Sequence, residues 1–321
     1  MSQTHLFIMD PVEKLNLALD SSLRMAYELF LRGHHVYSSE IKNLFWKSSN
    51  APHTYARRLE FEKHADEVKL GAWGTFDLRQ FTVIHMRKDP PFDIHFFTAT
   101  WFLDHCPNTL VLNSPHALRA LNEKMVTLQF PKECKPTLVS YNPAHLLQFI
   151  REHCVGDAIV KPLYNHGGEG ILRIILKEQK ISEVEKTLTD LTEGGTKPRL
   201  VQTFDPSIFQ GEVRVFSVGG KPISWCLKVP PKGTFLANTR AGATLHPYNP
   251  SSSLVEKVSR VAKDLVTKGI FIVGMDILSE EISEINVTSP RLLSAPTDPK
   301  NYYPEIVDWI EQKLESLSSK T

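Results

Sequence analysis

An α/β fold is predicted for this chain, and three observations predict it. Short apolar segments of strand length alternate with segments of helical spacing through the first third. Helix-start and turn residues punctuate them. The 321 residues are 41% hydrophobic and 23% charged, a globular balance. That length suggests roughly two domains at ~150 residues each.

The elements follow in order. Leu6-Phe7-Ile8-Met9 reads as a short buried strand. Asp20 or Ser21 caps a helix running to about Arg32, whose apolar residues Leu23, Ala26, Tyr27, Phe30 and Leu31 share one face, and Gly33 stops it. His35-Val36-Tyr37 and Phe81 to Met86 are strands, and the polar stretch between them, from about Ser48 to Glu67, is left undecided by its pattern. Asp93 to His105 is helical, Thr109 to Leu112 a strand, and Ser114-Pro115 opens a helix to about Lys124. The middle third gives a helix Pro143 to Cys154, a strand Asp157 to Lys161, a glycine-rich loop and a strand Ile171 to Leu176. A helix Ile181 to Leu191 and a strand Arg199 to Phe204 complete it. In the last third, Glu212 to Val218 and Lys221 to Val229 flank Gly219-Gly220, a hairpin signal. Pro230 to Pro250 is read as a loop, and a loop that long is usually functional, often a lid. A helix Leu254 to Lys268, a strand Ile270 to Leu278, a returning strand Ile282 to Val287 and a helix Pro304 to Leu317 close the chain.

Charge and cysteine usage exclude several classes. With 37 Lys+Arg against 36 Asp+Glu the net charge is +1, so no bulk attraction to nucleic acid or to an anionic membrane exists. Any anion must be gripped locally. Cys106, Cys134, Cys154 and Cys226 form no CxxC, and none adjoins a turn glycine or a helix start. They read as reduced thiols of a cytoplasmic protein. The opening residues lack a basic n-region, so no signal peptide is expected. No segment approaches the ~20 apolar residues needed to span a bilayer.

Four groups carry chemistry. If the last hairpin turns around Glu280, Asp276 faces Glu284, and Asn286 shares that face. Three oxygen donors on an apolar hairpin suit Mg²⁺; the alternative is a solvated edge face for Glu284 and Asn286. Lys161 ends an apolar strand, where a lysine needs an anionic partner. The adjoining Asn165-His166-Gly167-Gly168-Glu169-Gly170 can form a backbone anion nest or a plain turn. Arg214 lies in an alternating strand, and on pattern alone it is a surface residue. Arg87-Lys88-Asp89-Pro90-Pro91-Phe92-Asp93 follows a strand directly, where open α/β sheets place ligands, or is an ordinary polar turn. Neither HExxH, GxSxG nor a Walker A sequence occurs.

Several strings taken together resemble a known family. They are Ile8-Met9-Asp10-Pro11, Asp20-Ser21-Ser22, Met86 to Asp93, Asn122-Glu123-Lys124, Val160-Lys161-Pro162-Leu163 and Glu284 to Pro290. In this order they resemble the bacterial-type glutathione synthetases, within the ATP-grasp superfamily. The resemblance implies an N-terminal parallel α/β substrate domain over 1–123, followed by a two-lobed ATP-grasp unit of α+β character. Its central lobe would cover 124–204 and its C-terminal lobe 205–321, with a lid at 230–250. It implies that Lys124, Lys161, Gly167, Gly168, Gln202, Thr203 and Phe204 hold ATP, the co-substrate. It implies Arg214 and Lys161 as catalytic groups at the reacting phosphate. Asp276, Glu284 and Asn286 would be ligands of Mg²⁺, with Mn²⁺ as the alternative. Arg87, Lys88, Asp89, Asn286, Thr288 and Ser289 would meet the peptide substrate.

The implied reaction joins γ-glutamylcysteine to glycine. The implied setting is a cytoplasmic homo-oligomer acting on small molecules, without nucleic acid or membrane. The lid departs from the family pattern: Phe235-Leu236-Ala237-Asn238-Thr239-Arg240-Ala241-Gly242-Ala243 lacks the usual arginine and one residue, while Asn238 and Gly242 are kept. Lys228 also stands where the family has arginine, and Glu169 where a small residue is usual. Those changes keep two other readings open, a ligase with a different amine acceptor and an inactive ATP-binding homologue. A nicotinamide-dependent dehydrogenase would fit the strand–helix alternation, but no GxGxxG follows the first strand.

Overall fold

The computed structural model describes residues 2–17, 19–48, 51–165 and 168–319. It contains three sheets. The first is built from β1 (Thr4–Ile8), β2 (His35–Ser39), β3 (Leu44–Trp46), β4 (Pro52–Phe61), β5 (Val68–Asp77), β6 (Val83–Met86) and β7 (Leu110–Leu112). Strands β2, β1, β6 and β7 are parallel neighbours, as strand–helix alternation requires. Helix α1 (Ser21–Leu31) connects the first two. The Asp20 carboxylate caps it, accepting from Ser22 N at 2.8 Å and Leu23 N at 2.9 Å. Gly33, at φ 81°, ends it in the left-handed conformation that costs glycine least.

The undecided stretch 48–67 resolves into β4, which pairs antiparallel with β2, β3 and β5. Its burial alternates with a half-polar pattern that the charge cluster hides. Helix α2 (Ile94–Leu103) is capped by Asp93, whose carboxylate accepts from His95 N and Phe96 N. Helix α3 (Pro115–Ala120) is shorter than its sequence suggests. Leu121 is extended, and Asn122 Oδ1 then accepts from Lys124 N at 3.0 Å and Met125 N at 3.2 Å. That side-chain turn replaces the last helical turn and carries Lys124 out of the helix.

The second sheet has order β10-β9-β11-β8, all antiparallel, with β8 (Thr137–Ser140), β9 (Asp157–Pro162), β10 (Leu172–Ile175) and β11 (Arg199–Thr203). Helices α4 (Pro143–Glu152) and α5 (Ile181–Leu191) cover one face. Leu146, Ile150, Val184 and Leu188 bury against Ala158, Val160, Ile174 and Val201. Each fully buried aliphatic side chain in this small core contributes roughly 1.5–3 kcal/mol.

The third sheet has order β14-β13-β12-β15-β16, again antiparallel. Its strands are β12 (Glu212–Val218), β13 (Lys221–Val229), β14 (Thr244–Pro247), β15 (Ile272–Leu278) and β16 (Glu281–Asn286). Stretch 230–250, read as a loop, therefore contains an edge strand pairing with β13 and a 3₁₀ turn at Thr239–Ala241. Helix α6 (Ser252–Thr267) buries Leu254, Val258, Val261, Ala262 and Leu265, one stripe at helical spacing. The first and third sheets share continuous cores, in which Leu118 and Met86 join Val261, Val273 and Met275. Helix α7 (Tyr303–Ser318) returns to α1, where Arg32 bonds Asp308 and Glu311 at 2.7 Å each. Asn113, buried after β7, spends its whole amide on the third sheet. Its Nδ2 donates to Ile272 O and Val287 O at 2.7 Å, and its Oδ1 accepts from Phe271 N and Ile272 N at 2.8 Å. This fixes the start of β15, the strand that carries Asp276.

Candidate active site

A cleft of about 280 Å³ opens between the second and third sheets and the loop after β6. Its floor is a cross-strand row. Arg214 on β12 faces Asp276 on β15, and Asp276 faces Glu284 on β16. The turn between β15 and β16 is Ser279-Glu280, both at positive φ (51° and 61°), as a tight two-residue hairpin demands. Gly274 faces Asn286 in the same register.

Asp276 is buried and fully engaged. Arg214 Nη1 donates to its Oδ2 at 2.9 Å, Lys228 Nζ to its Oδ1 at 2.7 Å, and Asn286 Nδ2 to its Oδ2 at 3.1 Å. Lys228 also pairs with Glu212 at 2.6 Å. Burial alone would raise the Asp276 carboxyl, but the Arg214 and Lys228 charges outweigh it and hold it well below the usual carboxylate range. For Glu212 the balance falls the other way: burial, with the Asp276 charge beside it, raises its carboxyl despite Lys228. Burial opposes the Lys228 ammonium, yet Asp276 and Glu212 raise it above an ordinary lysine.

Two further lysines, Lys161 and Lys124, line the cleft. Lys161 Nζ donates to Gln202 Oε1 at 2.9 Å. Lys124 Nζ donates to Asn165 O at 2.5 Å, which ties it to the glycine-rich loop. Gly168 lies on the wall, and Gly167 is outside the described residues. Thr203 and Phe204 line the cleft with Gln202. The Gln202 amide is spent inside the protein, since Nε2 donates to Ser283 O at 3.1 Å and to Thr137 Oγ1 at 2.9 Å. Its side chain therefore aims Lys161.

Beyond Phe204 the cleft becomes apolar. Ile159, Phe204, Ile208 and Ala237 bury together, with Phe235, Ile171 and Leu278 against them. Arg173 stacks over the Phe204 ring at 3.5 Å while its guanidinium pairs with Asp157 at 2.9 and 2.6 Å. Such a slot suits a flat base. The segment after β13 crosses the cleft from this slot to the loop after β6. Phe235 meets Phe204 edge-on at 5.9 Å, Arg240 Nη2 pairs with Asp89 Oδ2 at 3.2 Å, and Arg291 Nη1 donates to Thr239 Oγ1 at 3.4 Å.

Asp89, Thr288 and Ser289 line the cleft; Arg87 and Lys88 do not. The Arg87 guanidinium is buried, donating from Nε to Ser22 Oγ and from Nη2 to Pro290 O at 3.0 Å each. It pins the segment that carries Thr288 and Ser289. Lys88 pairs with Asp10 at 3.0 Å. Reading the sequence missed Glu123, Lys135, Asp205 and Glu212 as wall residues. Lys135 Nζ bridges Asp205 Oδ2 at 2.7 Å and Glu281 Oε2 at 3.1 Å. Glu123 Oε1 accepts from Thr288 N at 3.0 Å and Thr288 Oγ1 at 2.5 Å. Glu212 faces Lys228 across the Gly219-Gly220 hairpin, a register that the bulge between Phe216 and Ser217 sets.

Asp276, Glu284 and Asn286 offer two carboxylates and an amide oxygen on adjoining pairs. This all-oxygen set fits a hard divalent cation. Among the described residues, no group of three or more His, Cys, Asp or Glu side chains makes a metal site.

Family models match the chain on both sides of residue 120. The prokaryotic glutathione synthetase N-terminal domain matches residues 4–119, and the prokaryotic glutathione synthetase ATP-grasp domain matches residues 123–296. The chain belongs to the prokaryotic glutathione synthetase family. Full-length relatives agree. The glutathione synthetase of Yersinia pestis is 35% identical over 317 residues, covering 96% of this chain and 97% of that one. That of Photorhabdus laumondii is 34% identical over 322 residues, covering 96% and 98%. Among solved structures, a D-cycloserine synthetase superposes with TM-score 0.68 at 13% identity, covering 97% of this chain and 99% of that one. D-alanyl-alanine synthetase A of Vibrio cholerae gives 0.58 at 12%, covering 98% and 99%. At such identities these two show the fold alone, an N-terminal domain joined to an ATP-grasp unit.

Proposed function

We propose that this family member is an ATP-dependent carboxylate–amine ligase that makes glutathione from γ-glutamylcysteine and glycine. The observation that carries the reading is the row Arg214–Asp276–Glu284 lying in one cleft with Lys124, Lys161 and Lys228, in a chain that both family models match.

The cysteinyl carboxylate oxygen attacks the γ-phosphorus of ATP, the bond to the β-phosphate oxygen breaks, and ADP leaves an acyl phosphate. The glycine nitrogen then attacks the acyl carbon, the carbon–oxygen bond breaks, phosphate departs, and the nitrogen gives up a proton. Little covalent work falls to the protein, and positioning with charge stabilisation does most of it. Lys124 and Lys161 are placed for the nucleotide phosphates. Arg214 stands where charge builds on the transferred group. The apolar slot around Phe204 receives the adenine. Phe235 and Arg240 close over the cleft and exclude water from the acyl phosphate. Asp276, Glu284 and Asn286 would hold Mg²⁺, or Mn²⁺ in its place, which when bound neutralises phosphate charge. Thr288, Ser289 and Asp89 face the peptide side.

We assign residues 1–123, 124–204 and 205–321 to the substrate domain and the two ATP-grasp lobes. No described helix is long and apolar enough to cross a membrane. The cytoplasm is the compartment that suits its four buried, unpaired cysteines, and a homo-oligomer is the assembly we favour. A ligase with another amine acceptor is the second reading. Leu236 in the lid and Lys228 in the floor motivate it.

Trapping tests the intermediate. With ATP, γ-glutamylcysteine and hydroxylamine but no glycine, the enzyme should form the cysteinyl hydroxamate and ADP. AMP and pyrophosphate would contradict the acyl phosphate.

A further inference from the structure

Gly274 interrupts the apolar strand β15, and its backbone gives no reason for a glycine. It is extended and absent from the positive-φ positions, and the strand would gain from a side chain. The reason lies across the strand. A Cβ placed on Gly274 would sit 2.6 Å from Arg214 Nη2, 2.7 Å from Cζ and 3.0 Å from Nε. All three nearest atoms belong to one guanidinium. Arg214 thus lies flat on the bare backbone of Gly274, whose register partners are Phe216 and Asn286. It reaches Asp276 from there, through Nη1 at 2.9 Å. Its Nε is buried without a hydrogen-bond partner, so hydrogen bonding alone does not account for where the group rests.

We propose that Gly274 is a positioning residue for the ligase reaction: lacking a Cβ, it forms the seat that holds the Arg214 guanidinium between Asp276 and Asn286. Any side chain at 274 lifts the guanidinium off that seat and away from the phosphate undergoing transfer. The inference rests on the assignment of Arg214 above.

The test is a double-mutant cycle of Gly274→Ala, Arg214→Ala and both together, read as kcat, KM for ATP and Tm. Gly274→Ala is expected to lower kcat by about 10- to 100-fold, the scale of a misplacement of about 1 Å, with KM for ATP changed less than about threefold. Arg214→Ala is expected to lower kcat by about 10²- to 10³-fold. Adding Gly274→Ala to Arg214→Ala should cost nothing more, because no guanidinium remains to displace. Wild-type kcat in Gly274→Ala, or effects that multiply in the double variant, overturns the seat while leaving Arg214 its role. Wild-type kcat in Arg214→Ala overturns that role and the seat with it. If Gly274→Ala also lowers Tm, it should lower it no further in the Arg214→Ala background, and an equal added loss there overturns the clash.

Discussion

Asp276→Asn is expected to abolish turnover, lowering kcat by about 10³-fold or more, in a protein that still folds. Three donors converge on this carboxylate, from Arg214, Lys228 and Asn286, and Glu284 faces it. Asparagine keeps the shape and one acceptor oxygen but removes the charge that would hold a divalent ion. Lys228 retains Glu212 as a counter-ion at 2.6 Å, while buried Arg214 loses the charge of its ion-pair partner and keeps only a neutral amide oxygen to donate to. The loss should therefore appear in kcat and in Mn²⁺ binding followed by electron paramagnetic resonance, with the far-ultraviolet circular dichroism unchanged. Turnover within about tenfold of wild type, with Mn²⁺ still bound, would refute the metal assignment.

Lys228→Met should have the largest effect on stability. The lysine is the shared counter-charge of two buried carboxylates, Asp276 and Glu212. Its removal strands Glu212, whose carboxyl burial already raises, and leaves Asp276 with Arg214 alone. Breaking a buried ion pair from one side costs about 3–5 kcal/mol, which for lobes of this size reads as a fall of roughly 10 °C in Tm. The sign with pH follows. A stranded carboxyl has a folded-state pKa above its unfolded value, so it binds protons more tightly in the folded state. The deficit should be small near pH 5 and should grow as pH rises to 8. Lys228→Arg keeps the charge and should restore most of the stability. An unchanged Tm in Lys228→Met at pH 8 would contradict the network.

How much of this was legible depended on how local the cause was. The facing of Asp276 and Glu284 was expected from a turn centred on Glu280, and the register pairs them, though by another route. The two-residue turn Ser279-Glu280 alone would set Asp276 opposite Ser283, and the bulge between Asp276 and Ile277 shifts the register by one and brings Glu284 opposite instead. In the neighbouring hairpin the bulge falls between Phe216 and Ser217, ahead of the functional pairs. Counting back from Gly219-Gly220 then misses the facing of Glu212 and Lys228 by one residue, which moves a side chain to the opposite face. Arg87 is a different case. Its position after a strand suggested a ligand contact, but its partners Ser22 and Pro290 come from distant parts of the chain, and no local pattern announces them. The strand β4 was hidden because half its residues are polar, although it is paired on both sides. The lid's strand β14 is short and largely exposed, so periodicity is weak there. Gln202 entered through the resemblance as an ATP-binding residue, whereas its bonds to Thr137 and Ser283 are tertiary and no local pattern announces them.

The central claim is that this cleft joins γ-glutamylcysteine to glycine at the expense of ATP. The direct measurement is phosphate release with ATP and γ-glutamylcysteine against a panel of single amino acids, with the peptide product identified by mass spectrometry. The account predicts that glycine gives the highest kcat/KM, with glutathione as product and one phosphate released per peptide formed. Turnover with another amine and none with glycine would contradict it.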